Sequence, residues 1–228
     1  REQSDLLIEA EAGQYRFTHK TIQEYLASLY VVKNRNLEEA LLQKIGQEWW
    51  SETIRLYSAQ ENATLVIEKC LEKKPLTSDV LSLAIDLLAE GKWVKQNIKD
   101  QLESVLSGLT YSEENRKLIA RARLSSRIKL HMGVRGGVDN YLLTNLEYQL
   151  FIDEMLRLGK AFIPDHWLLS TFPLDHPDDP VLGVRGDDAV EFCNWLTSWD
   201  LDPTIYRVPN IDEGGDLDAR QNDFVYWV

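Results

Sequence analysis

Leu6-Leu7-Ile8-Glu9-Ala10-Glu11-Ala12-Gly13-Gln14-Tyr15-Arg16-Phe17-Thr18-His19, followed at once by Lys20-Thr21-Ile22-Gln23-Glu24-Tyr25-Leu26-Ala27-Ser28-Leu29, sets the reading of this chain. Two apolar runs flank the turn Glu11-Ala12-Gly13-Gln14, and Tyr15 and Phe17 alternate with Arg16 and Thr18 as a half-buried strand should. The first stretch therefore predicts a short hairpin. Thr21 and Glu24 stand three apart as a capping box, and Ile22, Tyr25, Leu26 and Leu29 recur at helical spacing. The second stretch predicts a helix with one apolar stripe.

Beyond this opening the pattern is helix after helix, with brief breaks of the length that antiparallel neighbours need. The predicted spans are 36–45, 49–60, 62–73, 78–90, 93–107 and 112–124. Val80, Leu81, Ala84, Leu87 and Leu88 make one stripe, and Ala63, Val66, Ile67, Cys70 and Leu71 another. No strict repeat occurs, but paired helices of this size stack into an irregular solenoid. Trp49 and Trp50 read as the start of a helix-pair core, an exposed partner site being the alternative. Glu68-Lys69 and Glu72-Lys73-Lys74 read as solvated surface.

Composition changes near Ser126. Residues 1–126 hold 17 Lys plus Arg against 19 Asp plus Glu, whereas residues 127–228 hold 8 against 18, so the acid of a chain with net charge −12 lies at the back. Proline and glycine also concentrate there, which marks a domain boundary. So acidic a surface repels phosphate backbones and argues against nucleic acid as a ligand, leaving a protein, a peptide or a basic ligand. No apolar run is long enough to span a bilayer, which argues against a membrane reading. Cys70 and Cys193, each inside an apolar helical pattern, predict buried thiols in a reducing cytoplasm rather than a disulfide. The start at Arg1, without Met or a basic-then-apolar leader, is expected to be a cut inside a longer polypeptide.

In the back half, Ile128-Lys129-Leu130-His131 predicts a short entry strand and Gly133-Val134-Arg135-Gly136-Gly137 a turn. Thr144 and Glu147 form a second capping box, opening a helix whose stripe is Tyr148, Phe151, Ile152 and Met155. An irregular stretch over 161–186 leads to a helix with Asp187 as N-cap and Ala189, Val190, Cys193 and Leu196 on one face. Short strands are expected around Ile205–Val208 and Phe224–Val228. Asp175, Asp178 and Asp179, with His166 nearby, are candidate oxygen ligands for calcium, a solvated Pro-interrupted turn being the plainer account. His131 and His176 have no partner in the sequence that suggests catalysis or zinc.

Tyr15-Arg16-Phe17-Thr18-His19-Lys20-Thr21-Ile22-Gln23-Glu24-Tyr25-Leu26-Ala27 resembles the F-x-H-x-x-x-Q-E-Y-L-A ending of the winged-helix domain in NACHT-type NTPases of the STAND class. The resemblance implies that His19 senses nucleotide by reaching the β-phosphate of ADP. Its partner would be a nucleotide-binding domain upstream in the parent chain. An imidazole lost from phosphate when domains part is a state-dependent contact. No Gly-x-x-x-x-Gly-Lys-Ser/Thr loop occurs in this chain, so ATP or ADP would belong to the parent protein.

Leu143-Thr144-Asn145-Leu146-Glu147-Tyr148, Pro164-Asp165-His166-Trp167, Asp187-Asp188-Ala189-Val190-Glu191-Phe192-Cys193-Asn194-Trp195 and Tyr206-Arg207-Val208-Pro209 resemble, in order, segments of the formylglycine-generating-enzyme or sulfatase-modifying-factor family. That family implies a C-type-lectin-like fold, and the expectation for residues 127–228 is such a binding domain. It follows a winged-helix end over 1–35 and a helical array over 36–126. The family's enzymes use two redox-active cysteines near the C-terminus with copper; no cysteine follows Cys193 here, and Asn210-Ile211-Asp212 replaces the family's continuation. The resemblances together imply a non-catalytic recognition and coupling portion of a switch. Its ligand surface would have the kind of scaffold that diversity-generating retroelements vary. A truncated formylglycine-forming oxidase is the alternative.

Overall fold

The structure, a computed structural model, describes residues 6–61, 63–90, 93–108, 112–131, 142–172, 176–199 and 205–209. Among these the chain is mostly helical, with a single two-stranded sheet, and it divides into two compact units at Tyr111 and Ser112.

The first unit opens on the expected hairpin. Strands β1 (Leu7–Glu11) and β2 (Gln14–Phe17) run antiparallel with Leu7 opposite Phe17 and Ile8 opposite Arg16. The register shifts between Glu9 and Glu11, beside a turn where Gly13 takes φ +77° and donates its N–H to Glu9 Oε1 at 2.9 Å. A left-handed turn residue of this kind costs glycine least. The described strand side chains are exposed except for Phe17, which is half-buried.

Helix α1 (Lys20–Lys33) follows directly. Its capping box does not form: the helix starts one residue before Thr21, with His19 as N-cap and no side-chain cap bond. Glu24 pairs instead with Lys20 Nζ at 3.2 Å, one turn back on the same helix. The expected stripe is also turned outward. Glu24, Ser28 and Val31 are the buried residues, while Tyr25 and Leu26 are exposed and Ile22 and Leu29 half-buried. Ser28 explains the inward face, since its hydroxyl donates to Tyr25 O at 2.7 Å and accepts from Gln60 Nε2 at 2.8 Å across the α1 packing face.

A 3-10 turn over Arg35–Leu37 leads into α2 (Glu38–Leu42), then α3 (Glu48–Gln60), α4 (Thr64–Glu72), α5 (Ser78–Glu90) and α6 (Gln96–Gly108). These match the periodic segments to within a few residues. α1 packs on α3, α4 on α5, and α3 on α5. Ile54, Tyr57, Ile67, Cys70, Leu81 and Leu102 are among the side chains removed from water. Two polar ties cross this core. Arg55 reaches buried Asp86 at 3.7 Å and Glu90 at 2.7 Å, joining α3 to α5, and Arg35 holds Glu61 at 2.7 Å while Tyr57 donates to Glu38. Burial, then the neighbouring Glu38 carboxylate, hold the Tyr57 hydroxyl well above its ordinary pKa. Trp49 does not start a core: it is 59% exposed, with Lys20 Nζ 4.8 Å from its ring centroid, while Trp50 is half-buried.

The second unit comprises α7 (Glu113–His131), α8 (Asn145–Arg157) and α9 (Gly186–Trp199) with the segments between them. The expected entry strand at Ile128–His131 is the last turn of α7, because an apolar pair two residues apart fits a helix ending as well as a strand. The composition shift near Ser126 accordingly falls inside α7, whose Ala120 and Leu124 join the core of the second unit. That core is aromatic. Phe151 stacks on Phe162 at 5.1 Å and meets Phe192 edge-on at 5.6 Å, and Tyr148 meets Trp167 at 6.4 Å. Such geometries add to burial alone.

The described residues of this unit show one isolated β-bridge, Thr144 with Pro180, and no strand, so they do not display the sheet of a C-type-lectin-like domain. Residues 205–209 carry no ladder partner among the described residues, and Ile205 is exposed. The strand expected at Phe224–Val228 and the turn at 133–137 lie outside the described residues.

Candidate functional site

His19 stands at the junction of hairpin and α1. Thr18 fixes that junction, giving both its N–H, at 3.0 Å, and its hydroxyl, at 3.3 Å, to Leu6 O. His19 then has an extended backbone, φ −126° and ψ 127°, and its carbonyl accepts from Gln23 N at 3.4 Å. The imidazole is exposed and takes no part in capping. The hairpin before it and α1 after it carry Leu6, Leu7, Ile8, Tyr15, Tyr25 and Leu26, all exposed apolar side chains. Sequence reasoning gave the hairpin and the helical stripe separately and missed that these side chains are exposed. The signal available was the inward set Glu24 and Ser28, which is polar and so resembles a solvent face.

Two of the three candidate calcium ligands lie against basic side chains. Asp178 pairs with Arg123 of α7, and Asp179 Oδ2 lies 2.8 Å from His176 Nδ1. Asp175 lies outside the described residues. His166 belongs to another part of the unit, against Gly183 and next to Trp167. No group of three or more His, Cys, Asp or Glu converges among the described residues. The loop is instead tied to α8: Asn145 donates its N–H to Asp179 O and its side-chain amide to His176 O, both at 2.9 Å.

The second capping box does form. Thr144 Oγ1 accepts from Glu147 N, and Glu147 Oε2 accepts from Thr144 N at 2.9 Å. Glu147 is 2% exposed, and its carboxylate accepts two bonds from Arg127 Nη1 of α7 at 2.9 and 2.8 Å. Lys117 adds an outer tie to Asp153 at 2.8 Å, which with Glu113 raises the Lys117 ammonium above its ordinary pKa. Both thiols are buried, and burial pushes Cys70 up to about 12 and Cys193 upward. Neither is poised to act as a thiolate.

A third region was read in the sequence only as strings resembling a known family, not as a site. Asp165 N donates to Gly183 O at 3.1 Å and Arg185 Nε to Asp165 Oδ1 at 2.9 Å, which brings the segments 164–169 and 182–191 side by side. Gly183 takes φ +70° with the His166 ring 2.6 Å from where a Cβ would stand, so only glycine allows the approach. The indole N–H of Trp167 is buried without an acceptor among the described residues.

Compared with known proteins, the chain matches no family model, no curated protein and no solved structure at a significant level. No helix among the described residues is long and apolar enough to cross a membrane.

Proposed function

We propose that this chain is a recognition and coupling portion of a nucleotide-controlled switch. More particularly, it belongs with the STAND class: the hairpin and α1 dock on a nucleotide-binding domain of the parent polypeptide, helices α2–α6 act as a solenoid-like transmitter, and the second unit receives a protein or peptide ligand. The observation that carries this reading is the set of uncovered apolar side chains on the hairpin and α1, with an exposed, non-capping His19 at the junction between them. A two-stranded hairpin with both faces in water is marginal on its own, and the six exposed large apolar side chains named above, with Tyr30 of α1 as a seventh, mark a surface that functions covered. His19 is free to give a hydrogen bond to phosphate in one arrangement and lose it in another, which is the differential contact a switch requires.

Reading the parent coding sequence for a phosphate-binding Gly-x-x-x-x-Gly-Lys-Ser/Thr loop upstream tests the assignment at once, and its absence there would sink it. In the intact protein, His19→Ala should weaken ADP retention by ~10-fold or more, the worth of one charge-assisted bond to phosphate. The oxidase alternative finds no comparable support. Cys193 lies in the core between α9 and its neighbours, in thiol form, with no partner cysteine among the described residues.

A further inference from the structure

Resting on the recognition reading above, we propose that the segments 164–169 and 182–191 of the second unit form the docking surface for a cationic amphipathic peptide segment of a partner protein. Four apolar side chains project from these two joined segments: Leu168 is 99% exposed, Leu169 70%, Val190 48% and Leu182 38%. Each run starts on a buried anchor, Trp167 before Leu168, Val181 before Leu182 and Ala189 before Val190. The projecting side chains are thus presented by a packed base rather than by a loose loop. Scattered single leucines on a surface need no explanation, but four on two segments that hydrogen bonds hold together do.

Charge names the occupant. These segments carry Asp165, Asp187, Asp188 and Glu191 against one base, Arg185, which is already committed to Asp165. The surface is apolar with an acidic rim. Asp188 is partly withdrawn from water, which raises its carboxyl above the ordinary range, and a ligand ammonium or guanidinium beside it would offset that cost. Anionic lipid and nucleic acid meet the wrong sign here. A helix with Lys or Arg on one side and Leu or Phe at i, i+3, i+4 and i+7 on the other satisfies both the leucines and the rim. The sequence opened the way to this only in part: it offered a protein or peptide ligand and the acidic charge, but not the place.

The test uses the full chain and three labelled peptides followed by fluorescence anisotropy: an amphipathic Lys/Leu helix, a Glu/Leu helix with the same apolar face, and a Lys/Ser peptide with the same charge. The Lys/Leu peptide should bind, and the other two should not. Leu168→Ser with Leu169→Ser should weaken binding by ~10-fold or more, as expected for losing buried leucines. Asp187→Asn with Glu191→Gln should weaken it several-fold and flatten its dependence on salt. Asp178→Asn with Asp179→Asn, which alters acids of the other loop, should leave it unchanged. All of these positions are exposed or half-buried, so melting curves should coincide with that of the unaltered chain. Lys/Leu binding that survives the first two variants overturns this surface while leaving a recognition unit intact. Equal binding of the Glu/Leu peptide overturns the charge argument and with it the proposal. Absence of binding by all three removes both this surface and its support for recognition.

Discussion

Helices α1 and α8 begin as near copies in sequence terms and end in opposite environments. Each offers a Thr and a Glu three residues apart, followed by apolar residues at helical spacing. In α8 the box closes, Glu147 is buried against Arg127, and Tyr148, Phe151, Ile152 and Met155 all enter the core. In α1 the box stays open, Glu24 turns to Lys20, and Tyr25 and Leu26 face water. The local pattern is therefore a statement that an apolar face needs a cover, and it says nothing of whether the cover is in the same unit. For α8 the second unit provides it; for α1 the described residues do not.

Five single substitutions, one of them also with a second-site partner, would break or sharpen this contrast. Phe151→Ala should destabilise the second unit by about 3–5 kcal/mol in denaturant titrations, since a buried ring touching four other aromatic side chains leaves a cavity that cannot close. Arg127→Met comes next at about 3 kcal/mol, because it strands a carboxylate that is 2% exposed; adding Glu147→Gln should recover part of that loss. Thr144→Ala should cost about 1 kcal/mol through its lost cap bond, whereas Thr21→Ala, at a box that never closes, should cost under about 0.5 kcal/mol. A Thr21→Ala loss as large as that of Thr144→Ala would show the α1 box to be formed in solution. Leu26→Ser should be the smallest, within about 0.5 kcal/mol for the chain alone. If it instead destabilised the first unit by several kcal/mol, α1 would already be covered and the docking reading would lose its ground.

Much of the helical framework was legible because tertiary packing agreed with local preference. The segments 78–90 and 49–60 have strong 3.6-residue periodicity and clear ends, and α5 and α3 fall almost on them. Where reading failed, a local signal had two physical meanings. Ile128 and Leu130 two residues apart suit a strand or a helix end, and the helix won because α7 is carried forward by its seat on α8. The acids at 178 and 179, read as cation ligands or as a solvated turn, lie against Arg123 and His176, and Arg123 is too distant in the chain for a local pattern to announce it. The surface at 164–169 and 182–191 depends on a hydrogen bond between residues far apart in the chain, so no local pattern announces it.

The position of α7 bears on how such a module can be moved between proteins. A recombination breakpoint at the composition change near Ser126 would leave Ala120, Leu124, Lys117 and Arg123 with the donor gene and deliver a core short of one wall, with Asp153 and Asp178 stripped of their cations. A transfer beginning near Ser112 would carry the wall along. Shuffling events that gave folded products are thus expected to cut ahead of the helix, so that in any chimaera the arginine-rich stretch 116–127 travels with the aromatic core behind it.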